Sequence, residues 1–511
     1  MEVSASHFTF VSLLLIISLV AMLARRTRVP YTVALVLAGL AIGVSNVLPG
    51  VRLSPGLVLL VFLPALIFDS AFRLDLQHLM DNRRPIAIMA IPAPLISMLV
   101  VGAILHWAVG LELPLALFFG ALISATDPVS VAATFKELGV PRRLSYIIEG
   151  ESLFNDGMAI VLYRILVLMI LTGEFSLVGN IVRFLVVVAG GGILGFVAGY
   201  VFSLLLRRID DHLIEITLTT VLAYGTYLLA DSFHLSGVIA VVVAGVVIGN
   251  YGARTGMSPT TRITLTSFWE YLAFVINSLV FLLIGMEINL PLITQNLYSI
   301  ALAIVAVFGA RALISYLAPL LGRFFSKTPI PLAWQHTLFW GGLRGSLSVA
   351  VALSIPTAIQ GRDQILVITF GVVLFSLLVQ GLTMRPLLRL LRLVQPGPQQ
   401  TEYEYTRGRL VATRAAIDTL QRMQQEGLVS PSTYGELSER YDSLGQKLSE
   451  DLASIQTTSG SLAQEELTAT HRKCLLVAKC ALQDLLRQGV ISDDVFRRLV
   501  SDIDTELQEV G

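Results

Sequence analysis

Long apolar segments, separated by short polar loops, make up most of the first 395 residues of the chain. Each is close to the roughly 20 apolar residues that an α-helix needs to cross a bilayer. The pattern therefore predicts an all-α membrane protein with thirteen transmembrane helices. We place the segments at 8–24, 29–48, 56–72, 85–107, 113–135, 145–171, 177–206, 212–231, 234–251, 265–286, 297–321, 331–356 and 363–391.

Basic residues are distributed unequally between the loops. Eighteen Lys and Arg residues lie in the odd-numbered loops and at the end of the last segment, whereas the even-numbered loops contain only Arg52 and Arg362. The basic side of a membrane protein is normally cytoplasmic. We therefore expect a multi-pass protein of the cell (inner or plasma) membrane, with its N-terminus outside and its C-terminus in the cytoplasm. The eighteen are Arg25, Arg26, Arg28, Arg73, Arg83, Arg84, Lys136, Arg142, Arg143, Arg207, Arg208, Arg254, Arg262, Arg323, Lys327, Arg385, Arg389 and Arg392.

Charge also separates the C-terminal part from the rest. Only 14% of the chain is charged, against about 25% in soluble domains. The net formal charge is zero, but residues 396–511 carry −6, so residues 1–395 carry +6. Apolar residues at helical spacing in 401–456 and 462–508 predict helices there. We therefore expect a transmembrane domain, 1–395, and a cytoplasmic helical tail, 396–511. The tail would serve either as a bundle or dimerisation element or as an autoinhibitory or ligand-sensing domain.

Three aspartates lie within predicted spans with long apolar stretches on both sides: Asp69, Asp127 and Asp156. A charge at membrane depth costs at least ~2.5–3.5 kcal/mol, so such residues usually handle ions or protons. Two spans also contain helix breakers, Thr126-Asp127-Pro128 in the fifth and Gly341 to Gly345 in the twelfth. Interrupted spans in corresponding positions of two halves suggest an inverted repeat with the binding site where the breaks meet. The sequence therefore predicts a transporter of a small cation.

The start of the sixth segment supplies further oxygen ligands. Ser152 and Asp156 are four residues apart and share one helix face. Hard cations prefer oxygen ligands, so we expect Na⁺ to bind at Asp156, Asp127, Ser152 and Thr126. Two carboxylates that are close in a low-dielectric environment resist joint ionisation. One aspartate can therefore bind a proton near neutral pH, and a cation that stabilises the ionised form expels it.

Other charged residues at membrane depth need partners. Glu151 points away from the face of Ser152 and Asp156, so we expect it to form a structural ion pair with Arg344. Asp69 has three roles open to it: a ligand of the ion, a residue of the access path, or a cap of its helix. Arg164, Arg183 and Arg311 lie deeper, and the sequence assigns no partner to them.

Four stretches resemble the hallmark motifs of the cation/proton antiporter-1 family, which includes the sodium–proton exchangers. They are FLPALIFDSAF at 62–72, ATDPVS at 125–130, EGESLFNDG at 149–157 and GGLRGSLS at 341–348. The resemblance implies thirteen spans in two inverted six-span repeats with unwound crossing helices. It also implies a homodimer and an elevator-like alternating-access cycle.

The resemblance carries roles to individual residues as well. The family's transport aspartate falls on Asp156, preceded by Asn155. Its unwound Thr-Asp pair falls on Thr126 and Asp127, and its ligating serine falls on Ser152. The structural Glu–Arg pair falls on Glu151 and Arg344, and the acidic position of the third span on Asp69. The Asn-Asp form of the motif implies electroneutral one-for-one exchange.

Residues and resemblance together predict a secondary antiporter that exchanges Na⁺, or else Li⁺ or K⁺, for H⁺. A K⁺-selective proton antiporter is the nearest alternative, and a cation channel or a sensor coupled to the tail are more distant ones. We find no nucleophile triad, phosphate-binding loop or metal-ligand spacing in the sequence. We therefore expect no enzyme activity and no cofactor, and we expect the lipid bilayer rather than nucleic acid as partner.

Overall fold

A computed structural model of the chain describes residues 2–27, 29–45, 56–172, 176–209, 211–253, 257–322, 330–356, 358–394, 397–458 and 471–509, the last range without 472, 473, 476, 480 and 487. These residues form helices and connecting turns, with no strand among them. The all-α prediction is therefore confirmed for this part of the chain. Several residues used in the predictions lie outside it: Arg28, Arg52, Arg254, Arg323, Lys327, 46–48 and 462–470.

The chain divides into two compact units, Met1–Gln395 and Pro396–Gly511. The helices of the first unit are α1 Glu2–Thr27, α2 Tyr31–Ser45, α3 Leu63–Arg73, α4 Leu76–Asp81, α5 Arg83–Ala90, α6 Pro92–Val109, α7 Leu113–Leu122, α8 Val129–Leu138, α9 Arg142–Thr172, α10 Leu177–Leu206, α11 His212–Ser232, α12 Gly237–Val247, α13 Pro259–Glu287, α14 Leu290–Gln295, α15 Leu297–Gly322, α16 Leu332–Trp340, α17 Ser346–Leu353, α18 Arg362–Phe375 and α19 Gly381–Leu390. Three π-helical turns adjoin them, Leu57–Phe62 before α3, Ile248–Gly252 after α12 and Ser376–Gln380 between α18 and α19.

Seven helices of the described part are long and apolar enough to cross a membrane. They support a multi-pass membrane protein, and four shorter apolar helices accompany them. The total of thirteen spans remains a prediction. The seven are Arg83–Val109, Arg142–Thr172, Val178–Leu206, His212–Ser232, Thr261–Glu287, Leu297–Leu317 and Arg362–Leu390.

Four of the shorter helices form two pairs of half-helices, α7 with α8 and α16 with α17. Residues 123–128 separate α7 from α8, and residues 341–345 separate α16 from α17. Pro128 cannot donate a backbone hydrogen bond, and the Asp127 carboxylate accepts the free N–H of Val129 at 2.9 Å. In the other pair, glycines occupy three of the five positions of the break. These are the two positions at which the sequence contains helix breakers.

Close packing places these broken helices among long ones. A compact apolar cluster joins residues of α8, the start of α9, α16 and α19, among them Phe135, Leu144, Leu338 and Leu388. A larger apolar core runs through the remaining helices of the first unit.

The second unit contains α20 Gly397–Gln425, α21 Pro431–Thr458 and α22 Asp493–Glu509. Of these, α20 and α21 pack on one another after a turn at Gly427, where φ is 70°.

Candidate cation-binding site

The two breaks lie against one another. The backbone N–H of Asp127 donates to the carbonyl of Leu343 at 2.8 Å, so one unwound segment binds the other directly. The guanidinium of Arg344 crosses the same gap and donates to the carbonyls of Ser124 at 2.6 Å and Ala125 at 3.2 Å. Backbone groups freed by a break must be satisfied inside the protein when it lies in a membrane. Here each unwound segment provides hydrogen-bond partners for the other.

A glycine permits this close approach. A Cβ atom added to Gly345 would collide with the side chain of Asp127, including its carboxylate. Ser348, one turn into α17, donates its hydroxyl to the carbonyl of Leu122 at 3.0 Å. The start of α17 is therefore fixed against the end of α7.

One face of α9 covers the first break. Ser152 donates its hydroxyl to the carbonyl of Thr126 at 2.5 Å. The Asn155 amide donates to the carbonyl of Ser124 at 2.9 Å and to the Thr126 hydroxyl at 3.3 Å. The helical spacing of 152, 155 and 156 puts these side chains on one face. Ser152, Asn155 and Thr126 thus lie in one hydrogen-bonded group.

Asp156 lies in the same group. Its carboxylate interacts electrostatically with Asp127 and with Arg344, and the backbone N–H of Thr126 faces it. Three buried side-chain oxygens here accept no hydrogen bond from the described residues: Asp127 Oδ2, Asn155 Oδ1 and Asp156 Oδ1. Buried oxygens normally have a partner. A set of unpartnered oxygens, two of them from carboxylates, suits a hard monovalent cation.

The structural ion pair differs from the prediction. Glu151 pairs with Arg311 of α15, not with Arg344. Two guanidinium nitrogens of Arg311 donate to the two carboxylate oxygens, and the Leu338 carbonyl accepts from Arg311 at 2.7 Å and 3.1 Å. The predicted Glu151–Arg344 pair is therefore wrong. The reason is that Arg344 lies in an unwound segment beside free carbonyls, two of which accept from its Nη1, while Glu151 faces Arg311 of α15.

Asp69 forms an ion pair within its own helix. Its carboxylate accepts from Arg73, one turn later, and Arg73 also approaches Glu270 of α13 at 3.8 Å. The other five predicted site residues, Thr126, Asp127, Ser152, Asn155 and Asp156, come together at the breaks. Asp69 makes no hydrogen bond or ion pair to any of them. This contact does not decide among the three roles that the sequence left open for Asp69.

Two of the three unassigned arginines have partners. Arg311 pairs with Glu151, and Arg164 of α9 donates to Asp231 of α11 at 2.6 Å. Arg183 is exposed near the start of α10. For Arg311, a signal was present in the sequence, since an arginine deep in an apolar span requires an acidic or carbonyl partner.

Sequence reasoning missed Ser124, Ser348, Ser376 and Gln380. Ser376 contacts the backbone of the second break, and Gln380 contacts the last residue of α16. The Ser124 carbonyl accepts from Arg344 between the two breaks, and the Ser348 hydroxyl joins α17 to the end of α7. Small polar residues in apolar helices are common and usually bond to their own helix. No local pattern distinguishes these four from such residues.

In the described residues, an all-helical membrane unit in which two broken helices meet beside carboxylates that each have one unpartnered oxygen defines an ion-coupled membrane transporter. Comparison with known proteins specifies the family. The family model described as "Sodium/hydrogen exchanger, transmembrane" matches residues 12–390. The chain therefore belongs to this family of cation/proton antiporters, and it is a transporter rather than an enzyme.

Individual relatives agree with this assignment. The Na⁺/H⁺ antiporter NhaG of Bacillus atrophaeus is 38% identical over 486 residues, which cover 93% of this chain and 92% of the relative. The Na⁺/H⁺ antiporter ApNhaP of Aphanothece halophytica is 43% identical over 392 residues, covering 76% and 74%. Among solved structures, the sodium proton antiporter MjNhaP1 of Methanocaldococcus jannaschii at pH 8 matches with a TM-score of 0.64 and 23% identity, covering 76% of this chain and 100% of that chain. The last match concerns the fold alone.

Proposed function

We propose that this protein exchanges Na⁺ for H⁺ across the membrane, with Asp156 as the carboxylate for which the two ions compete. One observation carries the proposal: Asp127 Oδ2, Asn155 Oδ1 and Asp156 Oδ1 are buried together without hydrogen-bond partners in the described part of the chain. The relatives named as Na⁺/H⁺ antiporters support the choice of ions.

The surrounding contacts favour competition at Asp156. Arg311 neutralises Glu151, and Arg344 binds carbonyl oxygens, so neither arginine forms an ion pair with Asp156. Asp156 is thus available to a cation or a proton. Asp127 beside it adds a second negative charge, which disfavours joint ionisation in an apolar environment. Binding of Na⁺ would remove that penalty and release the proton. Ser152 and Thr126 would complete the oxygen shell, with Na⁺ as the cargo.

The exchange is proposed to be electroneutral, one Na⁺ for one H⁺, as the Asn155-Asp156 pair implies. We also propose thirteen spans in two inverted repeats and an elevator-like cycle that carries the crossed half-helices across the membrane. The meeting of two broken helices, one from each half, supports the repeat.

A homodimer is part of the proposal, and α10 supports it. Only 11% of the most apolar stretch of this helix is buried, against 39% to 67% in the other six long spans. A second copy or lipid must cover that surface. For residues 396–511 we propose a cytoplasmic helical tail with a regulatory or dimerisation role, and for the N-terminus an external position.

The function can be tested with the purified full chain in proteoliposomes that carry an imposed pH gradient. Addition of Na⁺ should dissipate the gradient, and Asp156→Asn should reduce this to the level of empty vesicles. Asp363→Asn serves as the matched control, because the Asp363 side chain is 92% exposed and away from the breaks. Normal exchange in Asp156→Asn would refute the proposal.

Parallel additions of Li⁺ and K⁺ rank the cations. A K⁺-selective antiporter would respond to K⁺ and not to Na⁺. A channel would conduct without an opposing proton flux, so uptake driven only by a proton gradient separates the two classes. The sensor alternative predicts that the protein transports poorly. It is excluded if a chain ending at residue 395 exchanges ions at the full rate.

A further inference from the structure

A π-helical turn, Ser376–Gln380, lies beside the second break and contacts both of its ends. Gln380 donates its amide to the carbonyl of Trp340, the last residue of α16, at 3.0 Å. Ser376 accepts the backbone N–H of Arg344 at 2.9 Å and donates its hydroxyl to Gln380 Oε1 at 2.6 Å. The two side chains therefore form one connected pair that bridges the break. Such π turns occur frequently at functional sites.

These hydrogen bonds satisfy backbone groups that the break leaves free. Trp340 is the last residue before the break and Arg344 lies within it, so both lack helical partners for these backbone groups. Ser376 and Gln380 are both buried, with 2% and 4% of their surfaces exposed. Water is therefore a poor substitute for either contact, and a polar group buried without a partner is costly. The pair is required for the backbone of the break to keep its position.

The effect of the pair extends to the cation-binding group. Arg344, whose backbone Ser376 binds, donates through its guanidinium to the carbonyl of Ser124. The amide of Asn155 donates to that same carbonyl. A continuous series of hydrogen bonds thus runs from Gln380 through Ser376, Arg344 and Ser124 to Asn155. It joins the π-helical turn to the face of α9 that carries Asp156.

We propose that Ser376 and Gln380 are positioning residues that set the Na⁺ affinity of the site by fixing Arg344 and, through it, the unwound segment 123–128. This inference rests on the proposed Na⁺/H⁺ exchange. Binding of Na⁺ needs several oxygens placed at once, whereas a proton needs a single oxygen. Loss of the pair should therefore weaken Na⁺ binding more than proton binding. Competition then shifts in favour of the proton.

The expected effect has a definite sign. Loss of one hydrogen bond of this kind corresponds to a change of roughly two- to tenfold in an equilibrium constant. Ser376→Ala and Gln380→Met should each raise the apparent KM for Na⁺ by about that factor, with the maximal rate within about twofold of wild type. At a fixed, subsaturating Na⁺ concentration, the pH of half-maximal exchange should move to higher values, because the proton competes more strongly.

The experiment measures initial exchange rates in proteoliposomes over a range of Na⁺ concentrations at two pH values. Thr369→Val is the matched control. Thr369 is buried in α18, and its hydroxyl donates only to the carbonyl of Ile365, at 2.7 Å, so its loss removes a buried hydrogen bond without touching the break. The control should keep the wild-type KM. Ser376→Thr, which retains the hydroxyl, should restore it.

The double variant Ser376→Ala/Gln380→Met should be no worse than the more affected single variant, because the two residues belong to one network. A wild-type KM in both single variants, or a change equal to that of Thr369→Val, would overturn the inference while leaving the exchange activity intact. If Ser376→Ala does not fold, Gln380→Met decides alone. An inactive wild type would instead overturn the proposed function, and the inference with it.

Discussion

Arg311 and Arg344 are both buried in the membrane unit, but their guanidinium groups have different kinds of partner. Arg311 forms a two-point ion pair with Glu151, whereas Arg344 donates to backbone carbonyls of the opposite break. The first arrangement cancels charge, and the second leaves a positive charge near Asp156. Both arrangements leave Asp156 without an arginine bonded to it, because Arg311 is paired with Glu151 and Arg344 donates to carbonyl oxygens.

The Glu151–Arg311 pair should be a major determinant of stability. The side chains of Arg311 and Glu151 are 7% and 2% exposed, so Arg311→Gln would leave a buried carboxylate without its cation. We expect a loss of about 3–5 kcal/mol in the free energy of unfolding, and substantial recovery in Glu151→Leu/Arg311→Met. Thermal unfolding of the detergent-purified protein measures this.

Arg362→Gln is the control for that experiment, because Arg362 pairs with an exposed aspartate. Its effect should be about 0–1 kcal/mol. Equal unfolding temperatures for Arg311→Gln and Arg362→Gln would contradict the assignment of the buried pair.

The sequence predicted individual residues better than it predicted their partners. Ser152 and Asp156 follow from helical spacing, and Asp127 from a carboxylate inside an apolar span. The pairing of Glu151 did not follow, because four arginines at membrane depth were available and spacing along the chain does not show which one faces Glu151. Such choices depend on how helices distant in sequence pack.

At the scale of elements, two pairs of half-helices and one face of α9 form the candidate site. The α7/α8 and α16/α17 pairs each contain a break of five or six residues, and the breaks contact one another through Asp127, Leu343 and Arg344. Both breaks were predictable from proline and glycine. The crossing of the two breaks and the π turn that supports it could not be predicted, because local sequence patterns do not determine which unwound segments meet.

The close contact of the two breaks makes Gly345 sensitive to substitution. In Gly345→Ala the added methyl group would collide with the side chain of Asp127. Overpacking of this kind costs roughly 1–3 kcal/mol, and here it would also displace a carboxylate of the site. We expect Na⁺-driven exchange to fall at least tenfold, a change that corresponds to about 1.4 kcal/mol.

Gly309→Ala provides the comparison, because no atom lies within 4 Å of a Cβ added at Gly309 in α15. A helical Gly→Ala change in open space should be neutral or stabilising, by up to about 1 kcal/mol. Exchange at the wild-type rate in Gly345→Ala would show that the two breaks are not as close as described.

At the scale of the whole molecule, charge and compactness divide the chain at the same place. Residues 1–395 carry a formal charge of +6 and residues 396–511 carry −6, and the boundary between the two compact units falls between Gln395 and Pro396 in the chain. The sequence predicts a boundary at the same position from charge composition, the end of the apolar segments and the helical spacing in the tail. It says nothing about what the tail binds, because exposed amphipathic helices serve many partners.

The proposed orientation places the tail in the cytoplasm, and Cys474 can test it. Cys474 is exposed, and Cys480, which lies outside the described residues, can be replaced by serine. A membrane-impermeant maleimide should label Cys474 in inside-out vesicles and not in right-side-out vesicles. Asp363→Cys in a chain without other cysteines should show the reverse, because the beginning of the thirteenth predicted segment is expected to lie on the external side. Labelling of both cysteines from one side would contradict the orientation.

Proton release upon Na⁺ binding tests the central claim most directly. Na⁺ is titrated into weakly buffered, purified protein while the pH and the bound Na⁺ are recorded. At pH values at which the sodium-free site is protonated, competition at Asp156 predicts about one proton released per Na⁺ bound. In the same range the apparent Kd for Na⁺ should rise about tenfold for each unit fall in pH. Asp156→Asn should show neither. Binding of Na⁺ with a pH-independent Kd and no proton release would contradict the account.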